Sequence, residues 1–544
     1  MSWEGPGSGQ KPLEGCGARH LPLSPGPVKN KLRFGRYEQK GPGNPRTFIG
    51  SRLPASPSHF GAGRAISPAM NAITSSAASA AVSSKARALT GRAIVPGDKS
   101  ISHRALIMGG LAVGETTITG LLLGEDVLRT ATVMAALGAK IEETQQPGDK
   151  HDGRLPTEGG RVWRVWGRGV GGLSEPADVL DMGNSGTGAR LIAGLLSAYP
   201  FTSFMTGDAS LRGRPMDRVI KPLSQTGATF TCRSKGRLPM AVTGTPLPMP
   251  LTYESPIASA QVKSAILLAG LHAQGITTVI EPAASRDHTE RMFRHFGVDV
   301  RVETGLAGGE AGSSRYKVEV VGQPEITGRP INVPADPSSA AFLVVSALLV
   351  PGSHLILPNI GINPLRVGLF QTLEEMGANI AYTNRREEAG EPVADLEVKY
   401  SALKGVKVPA HRAPSMIDEY PILAIAAACA EGETHMAGLA ELKVKESDRL
   451  SAMANGLAAC GVSATAGADS LTVRGGGPKG NTPITIPVNL DHRIAMSFLV
   501  LGMTGDRPIA VDDASAINTS FPDFIGLMNG LGANIEAVHQ RDLP

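Results

Sequence analysis

Cysteine is scarce in this chain of 544 residues, and its four copies follow no recognisable pattern. None lies in a Cys-x-x-Cys pair or beside a histidine cluster, which argues against a structural zinc site and a disulfide framework. A reducing, cytoplasmic compartment is therefore expected. Cys429 lies in an alanine-rich apolar run, where we expect it to be buried as a small hydrophobe. The four are Cys16, Cys232, Cys429 and Cys460.

The chain also lacks a broad excess of one charge and any long apolar run. Residues 1–69 hold ten of the 53 Lys and Arg with three Glu, so the rest carries 43 basic and 46 acidic side chains. Nucleic-acid binding needs clustered positive charge, so this balance argues against that function. No uninterrupted apolar stretch approaches the length that spans a membrane. We therefore expect neither nucleic acid nor a membrane as a partner.

Residues 1–69 are rich in Gly, Pro, Ser and Arg and show no sustained periodicity. Such a composition buries too little apolar surface to offset the entropy of ordering. We expect residues 1–85 to be a disordered extension, and residues 539–544 to be a short tail. The basic, acid-poor extension allows a targeting segment, although it is rich in Gly and Pro for an amphipathic helix. The alternative is that the protein proper starts at Met70.

What the chain does have is a six-fold repeat. An apolar helical run, a strand, a polar loop and a second helix that ends in Gly before another strand recur along the sequence. Glycine at this point suits a left-handed cap that turns helix into strand. The repeat predicts an α/β protein of six modules, three in each of two lobes, with a cleft between the lobes. The repeated glycines are Gly138, Gly227, Gly297, Gly377, Gly461 and Gly532.

The motif PGDKSISHRAL (96–106) predicts an anion site at a helix start. Pro-Gly makes a turn, Ser100 can cap the helix, and Lys99 and Arg104 lie near its beginning. Free N–H groups and the helix dipole favour anions there, and the two cations strengthen the preference. The spacing is not that of a Walker A loop. The alternative interpretation is a capped helix with solvated charges.

Two further motifs open helices with small or cationic residues. GNSGTGARL (183–191) has a Gly-rich turn that lets a ligand approach the backbone, but its spacing differs from the GxGxxG of a dinucleotide site. RGRPMDRV (212–219) places Arg214 before a proline that starts a helix, and a guanidinium there can bind carboxylate or phosphate bidentately. Arg218 is interpreted as a solvated or structural charge.

The motifs SAQVKSA (259–265) and SRDHTER (285–291) add neutral and cationic groups. Ser259 and Gln261 suit the hydroxyls or phosphate of a ligand. Arg286 is the stronger ligand candidate of the second motif, because a structural or merely polar role is the better interpretation of its histidine.

Three motifs in the C-terminal half carry the acid–base candidates. They are SMIDEYP (415–421), KVKESDRL (443–450) and LDHRIAM (490–496). Asp418 precedes a buried helix and is either a complement to the helix dipole or a base. Glu446 between Lys445 and Arg449 can stay ionised and still exchange a proton; the alternative is a surface ion pair of little worth. With Arg493, these residues imply anionic substrates and proton transfer without a metal or other cofactor.

Eight motifs in this order resemble those of the 5-enolpyruvylshikimate-3-phosphate (EPSP) synthase family, over roughly residues 86–538. They are PGDKSISHR, GNSGTGAR, GRPMDRV, SAQVKSA, RDHTER, DEYPILA, VKESDRL and LDHRIAM. Two of them, SAQVKSA and RDHTER, resemble the bacterial class II branch. The family transfers the enolpyruvyl group of phosphoenolpyruvate to the 5-hydroxyl of shikimate 3-phosphate. It releases phosphate by addition followed by elimination.

The resemblance implies a two-lobed inverse α/β barrel of six βαβαββ repeats, with the active site in the cleft. Lobe I would comprise residues 86–97 and 335–538, and lobe II residues 98–334. The residues implied for phosphoenolpyruvate are Lys99, Asn184, Gly186, Thr187, Arg214, Gln261, Arg449 and Arg493. Those implied for shikimate 3-phosphate are Lys99, Ser100, Arg104, Ser259, Ala260, Gln261, Arg286, Asp418 and Lys445. Glu446 would exchange a proton with the methylene carbon, while Asp418 and Lys99 would serve the 5-hydroxyl and the leaving phosphate.

Two positions depart from the family's pattern. Many relatives carry a lysine just before the final Phe-Pro-Asp, where this chain has Thr519. Glyphosate-insensitive class II relatives carry alanine at the position of Gly186, so we predict a comparatively glyphosate-sensitive enzyme.

Two alternative functions stay open at this point. The sister transferase that uses UDP-N-acetylglucosamine has the same fold, but it typically employs a loop cysteine as acid, and no cysteine here lies in a comparable loop. A catalytically silent anion-binding protein is disfavoured because Lys99, Glu446 and Arg493 are all present. We expect a monomer.

Overall fold

The computed structural model describes residues 80–145, 161–306 and 314–543, so most of the predicted extension at 1–85 lies outside the described residues. Within these ranges, twelve α-helices alternate with strands. They are α1 (Lys99–Leu111), α2 (Glu125–Ala136), α3 (Gly186–Leu196), α4 (Asp217–Ser224), α5 (Ala260–Gly270), α6 (His288–His295), α7 (Pro337–Leu349), α8 (Gly368–Glu375), α9 (Tyr420–Cys429), α10 (Arg449–Ala459), α11 (His492–Gly502) and α12 (Phe524–Leu531). In the described part of the chain, no helix is long and apolar enough to cross a lipid bilayer.

The strands of the described ranges form six sheets of four strands each. In bonded order, the first pair of every sheet is parallel and the next two pairs are antiparallel. Three sheets belong with α1–α6. Their strands are β14 (Ile331–Asn332), β3 (Glu115–Thr119), β5 (Arg161–Trp166) and β4 (Lys140–Gln145); β6 (Leu180–Asp181), β7 (Thr202–Thr206), β9 (Arg237–Thr243) and β8 (Thr229–Arg233); and β10 (Thr252–Glu254), β11 (Ile276–Glu281), β13 (Arg315–Val321) and β12 (Val300–Leu306).

The other three sheets belong with α7–α12. Their strands are β2 (Thr90–Arg92), β15 (His354–Gly361), β17 (Glu391–Lys399) and β16 (Asn379–Glu388); β18 (Lys407–Val408), β19 (Glu433–Ala437), β21 (Ser470–Arg474) and β20 (Ser463–Ala466); and β22 (Ile484–Ile486), β23 (Ile509–Val511), β1 (Ala80–Ser84) and β24 (Asn534–Val538). The architecture confirms the predicted two-lobed α/β fold of six repeats.

Three strands are displaced from the simple order of consecutive modules. β14, late in the chain, completes the sheet of α1 and α2, whereas β2, early in the chain, completes the sheet of α7 and α8. β1 pairs with both β23 and β24, so the prediction of an extension through residue 85 is wrong for these five residues. Their Ala- and Ser-rich composition resembles a linker, but Ala80, Ala81 and Ser83 are buried.

Each lobe has its own hydrophobic core. One core is built from residues between Ile101 and Val333, and the other from residues between Ala81 and Val95 together with Ala335 to Ile535. The chain crosses twice between the cores, and the two crossing segments are hydrogen-bonded to each other. The Asp98 N–H donates to the Pro334 carbonyl at 2.7 Å, and the Asp336 N–H donates to that of Pro96 at 2.8 Å.

The repeated glycines confirm the predicted helix-to-strand turns. All six have a positive φ, between 78° and 120°, a region in which a side chain is strained. The predicted cap of α1 is wrong, because Asp98 caps this helix instead of Ser100. One Asp98 carboxylate oxygen accepts the Ile101 N–H at 2.9 Å, and the other accepts Arg366 Nη1 at 2.9 Å. A carboxylate satisfies a helix start at least as well as a hydroxyl does.

The Asp98 substitution to Asn is expected to lower the free energy of unfolding at pH 7 by about 2 kcal/mol, because a buried charge-assisted bond to Arg366 is lost. Burial raises the pKa of Asp98, but Arg366 and His288 outweigh burial and hold this pKa well below its ordinary value. The stabilisation is thus complete above about pH 4 and is lost as the pH falls further. Urea unfolding of the wild type and the variant measures this difference in the free energy of unfolding. Ser100→Ala, the control, should change stability by less than about 0.5 kcal/mol.

Candidate active site

A cleft between the two lobes encloses a cavity of about 150 Å³. Ten Lys and Arg side chains line it, against five Asp and Glu, so the cleft favours anions. The first helix of each repeat (α1, α3, α5, α7, α9 and α11) contributes residues to the cavity wall, and these residues lie in or just before its first turn. Unpaired N–H groups and the helix dipole add to the positive potential at such ends.

The cavity wall contains most of the residues predicted from the sequence. Those that line it are Lys99, Ser100, Arg104, Gly186, Thr187, Arg214, Ala260, Gln261, Arg286, Asp418, Lys445, Glu446, Arg449 and Arg493. Two predicted residues lie behind the wall. Asn184 accepts Arg214 Nη2 at 2.6 Å, and the Ser259 hydroxyl caps α5 by accepting the Val262 N–H at 3.5 Å. Both therefore act on the cleft through neighbours.

Glu446 is held between arginines from opposite lobes. Its carboxylate lies 2.5 Å from Arg449 Nη2 and 3.4 Å from Arg214 Nη1. Arg449 is buried, with 1% of its side chain exposed, and is fixed from behind by Asp491 at 2.8 Å. Burial raises the pKa of Glu446, but Arg449 and Arg214 outweigh it and hold this pKa well below its usual range. Glu446 is consequently a carboxylate between the two arginines.

Asp418 is the second point where the lobes meet. Its carboxylate lies 2.7 Å from Arg286 Nη2, 3.1 Å from Lys445 Nζ and 3.4 Å from Arg449 Nη1. Arg493 Nη1 donates to the Asp418 carbonyl at 3.1 Å. Burial raises the pKa of Asp418, and Lys445 and the arginines more than reverse that effect. The two carboxylates thus occupy the cations that an anionic ligand would use.

Lys99 is the first residue of α1 and contacts an acid that sequence reasoning missed. Its Nζ lies 2.9 Å from Asp126, at the start of α2. Burial raises the pKa of Asp126 in spite of Lys99. The acidic first turn of α2, which contains Glu125 and Asp126, was the available signal.

Other wall residues were missed as well, among them two arginines and a histidine. Arg190 donates to the Gly186 carbonyl at 3.1 Å and to Gln261 Oε1 at 2.9 Å. His492 is buried, and burial with Lys99 lowers its pKa to about 3, which keeps it neutral. Arg366 joins Asp98 to Asp336, one residue from each crossing segment. Arg190 and His492 lie near the start of the first helix of a repeat, and this position was a signal from which a place in the cavity wall could have been predicted.

Gly186 leaves little room beside the arginines. A Cβ placed there would lie 2.9 Å from Arg214 Nη1 and 3.0 Å from Arg190 Nη1. By contrast, Thr519 does not line the cavity, and its hydroxyl donates to the Ala516 carbonyl at 2.8 Å. None of the cysteines that the structure describes lies in the cavity wall.

Comparisons with known proteins agree with this geometry. The profile of the family EPSP synthase (3-phosphoshikimate 1-carboxyvinyltransferase) matches residues 84–528. The 3-phosphoshikimate 1-carboxyvinyltransferase of Paramagnetospirillum magneticum is 64% identical over 83% of this chain and 97% of its own length. That of Rhodospirillum rubrum is 59% identical over 83% of this chain and 96% of its own.

Solved structures give the same result. An EPSP synthase from Acinetobacter baumannii is 44% identical, with a TM-score of 0.71 over 84% of this chain and 99% of its own. The enolpyruvyl transferase NikO from Streptomyces tendae shares the fold at 17% identity and a TM-score of 0.63. These matches do not favour the UDP-N-acetylglucosamine alternative. The chain therefore belongs to the EPSP synthase family, the 3-phosphoshikimate 1-carboxyvinyltransferases, which transfer the enolpyruvyl group of phosphoenolpyruvate to shikimate 3-phosphate in the shikimate pathway.

Proposed function

We propose that this cleft performs the family's reaction by letting two anionic substrates replace its internal ion pairs. The observation that carries the proposal is that Glu446 and Asp418 each hold cations from both lobes. A substrate carboxylate or phosphate that takes these cations frees the two acids for proton transfer. Electrostatic stabilisation of this kind is usually the largest contribution to catalysis.

We assign phosphoenolpyruvate to the side of Glu446. Its phosphate and carboxylate would be bound by cationic side chains and by the start of α3. These groups are Lys99, Arg214, Arg449 and Arg493, with Gly186, Thr187 and Gln261, and Asn184 would hold Arg214 from behind. Guanidinium groups suit both anionic ends because they bind carboxylate and phosphate bidentately. The helix start of α3 adds N–H donors for the phosphate.

We assign shikimate 3-phosphate to the side of Asp418, where α1 and α5 begin. The phosphate and hydroxyls would be bound by Lys99, Ser100, Arg104, Ala260, Gln261, Arg286, Asp418 and Lys445, and Ser259 would support them from behind as the cap of α5. Asp418 is an acceptor suited to a sugar-like hydroxyl. Arg286 and Lys445 already contact it at 2.7 and 3.1 Å, so they are placed to hold it ionised beside the substrate.

The proposed reaction has two steps. In the first, the 5-hydroxyl oxygen bonds to the central carbon of phosphoenolpyruvate and passes its proton to Asp418, while Glu446, which takes up a proton when the substrates displace it from its arginines, protonates the methylene carbon to a methyl group. In the second, the carbon–oxygen bond to phosphate breaks, Glu446 takes a proton back from the methyl group, and phosphate leaves with the proton of Asp418, relayed through Lys99. No redox partner is needed. Exclusion of water on closure of the lobes would strengthen each electrostatic contact.

We further propose that lobe I (86–97 with 335–538) and lobe II (98–334) are the two moving bodies. The enzyme would act as a cytoplasmic monomer. The two segments that cross between the cores would be the hinge.

Phosphate release tests the function. With both substrates present, the purified full chain should release phosphate; with UDP-N-acetylglucosamine as acceptor it should not. Phosphate release with UDP-N-acetylglucosamine as acceptor but not with shikimate 3-phosphate would favour the sister transferase. No release with either acceptor would favour an anion-binding protein without activity.

The Gly186→Ala variant should weaken inhibition by glyphosate by about tenfold or more and raise the KM for phosphoenolpyruvate by less. The new methyl group pushes the tips of Arg214 and Arg190, which are flexible enough for the fold to survive. Glyphosate has the longer chain between its two anionic ends, so the narrowed site costs it more. Inhibition assays decide. A Cβ at Gly213 meets nothing within 4 Å, so Gly213→Ala is the matched control. Unchanged glyphosate affinity in Gly186→Ala would refute the steric argument.

A further inference from the structure

We propose that Lys263, which takes no part in the reaction, is a positioning residue that sets the shikimate 3-phosphate side of the cleft. The inference rests on the proposed function, since it concerns the segments assigned to that substrate. Lys263 lies in the first turn of α5, behind the cavity wall, and its side chain is fully buried.

The buried ammonium group joins three segments of lobe II. Lys263 Nζ lies 3.0 Å from Glu281 Oε2 and 2.8 Å from Glu290 Oε1, and it donates to the Ser285 carbonyl at 3.2 Å. It also lies 4.9 Å from the centre of the Tyr316 ring. Burial lowers the pKa of Lys263, but the two glutamates reverse this and raise it above its ordinary value. The group is therefore a permanent cation.

Glu281 links Lys263 to two of the segments that we assign to shikimate 3-phosphate binding. This carboxylate, at the end of β11, accepts the Ser259 N–H at 2.8 Å. It also accepts the Ser285 hydroxyl at 2.8 Å. Ser259 caps α5, and Ser285 precedes Arg286, so one carboxylate fixes the start of the helix and the loop that carries the arginine. Lys263 in turn fixes that carboxylate.

The ion pair of Lys263 with Glu290 lies beside the two residues that bind Arg104. Next to Glu290, the Thr289 hydroxyl accepts Arg104 Nε at 2.7 Å. Next to Lys263, the Ser264 hydroxyl accepts Arg104 Nη2 at 2.7 Å. The ion cluster therefore also sets the distance between α5 and α6, which together hold the guanidinium of Arg104.

Core stability alone does not require this cluster. Apolar residues of similar volume are often as stable as a buried ion pair, because burying charges has a large desolvation cost. What apolar residues could not do is bind the Ser259 N–H and the Ser285 hydroxyl. Lys263 also offsets negative charge that Glu281 would otherwise direct at a phosphate. Both effects act on substrate binding.

Two variants test the role. Lys263→Met removes the cation, and Glu281→Asp keeps every charge but shortens the carboxylate that reaches Ser259 and Ser285. Val279→Ala is the matched control, because Val279 is buried in the same strand and its loss weakens the same lobe. Each purified full chain is examined for shikimate 3-phosphate binding by calorimetry, for steady-state kinetics and for Tm.

Both variants should raise the Kd and KM for shikimate 3-phosphate by at least about tenfold, with kcat at saturation and the KM for phosphoenolpyruvate little changed. Val279→Ala should lower Tm and keep wild-type affinity. Glu281→Asp decides alone if Lys263→Met does not fold. Wild-type affinity in the folded variants, or an equal loss in Val279→Ala, would overturn the inference. Absence of shikimate 3-phosphate binding by the wild type would overturn the proposed function as well.

Discussion

Replacing Glu446 with Gln is expected to reduce kcat by about 10²- to 10⁴-fold, the range that general acid–base catalysis contributes. Glutamine fills the same volume and still accepts a hydrogen bond from Arg449, 2.5 Å from the native carboxylate. It cannot give a proton to the methylene carbon or take one back. Substrate binding should therefore survive while turnover does not, and steady-state kinetics with a binding assay separates the two.

The pKa of Glu446 supplies a second observable for the same prediction. Arg449 and Arg214 hold this pKa well below its usual range. A substrate that takes both guanidinium groups removes their effect and leaves burial, which raises the pKa. Substrate binding near neutral pH should thus be accompanied by proton uptake in the wild type and by less in Glu446→Gln. Calorimetry in buffers of different ionisation enthalpy measures the difference.

Glu441 provides the matched control. It lies on the rim, 3.5 Å from Arg218 across the cleft, with 47% of its side chain exposed. An exposed pair of this kind contributes little, so Glu441→Gln should keep kcat within about twofold. Full turnover by Glu446→Gln would contradict the assignment of proton transfer to this residue.

Replacing Asp418 with Asn is expected to lower kcat by about 10²- to 10³-fold. The carboxylate lies within 3.4 Å of Arg286, Lys445 and Arg449, and its loss leaves these cations without their common partner. Asparagine also cannot accept the proton of the 5-hydroxyl. The KM for shikimate 3-phosphate should change by less than kcat, since the cations still attract the phosphate.

Asp448→Asn is the control for that substitution. Asp448 is exposed and caps α10 by accepting the Ser451 N–H at 3.1 Å, a role that asparagine fills equally well. Its kinetics should match the wild type. A variant Asp418→Asn with wild-type kcat would show that another group accepts the hydroxyl proton.

The repeat made the fold predictable because the secondary structure of each module is encoded by residues that are close together in the sequence. Helix starts, the glycine turns at Gly138 and its five equivalents, and the division into lobes all follow from short-range patterns. The placement of β1, β2 and β14 does not. Each pairs with strands far away in the chain, and an Ala- and Ser-rich segment such as Ala80–Ser84 carries no local signal of its partners.

The wall of the site was predictable where charge sits at a helix start, as with Lys99 and Arg493. Partners that close the site across space were not. Asp126 binds Lys99, and Arg366 links two aspartates at the crossing segments. Such pairings depend on how segments that are distant in the sequence pack against one another. A motif on its own does not specify them.

Turnover in heavy water tests the central claim most directly. If Glu446 protonates the methylene carbon and later removes a proton from a freely rotating methyl group, solvent deuterium must enter the product's vinyl carbon. Mass spectrometry of the product from shikimate 3-phosphate and phosphoenolpyruvate should therefore show deuterium there during wild-type turnover. A product formed at the wild-type rate without deuterium would contradict addition and elimination through Glu446.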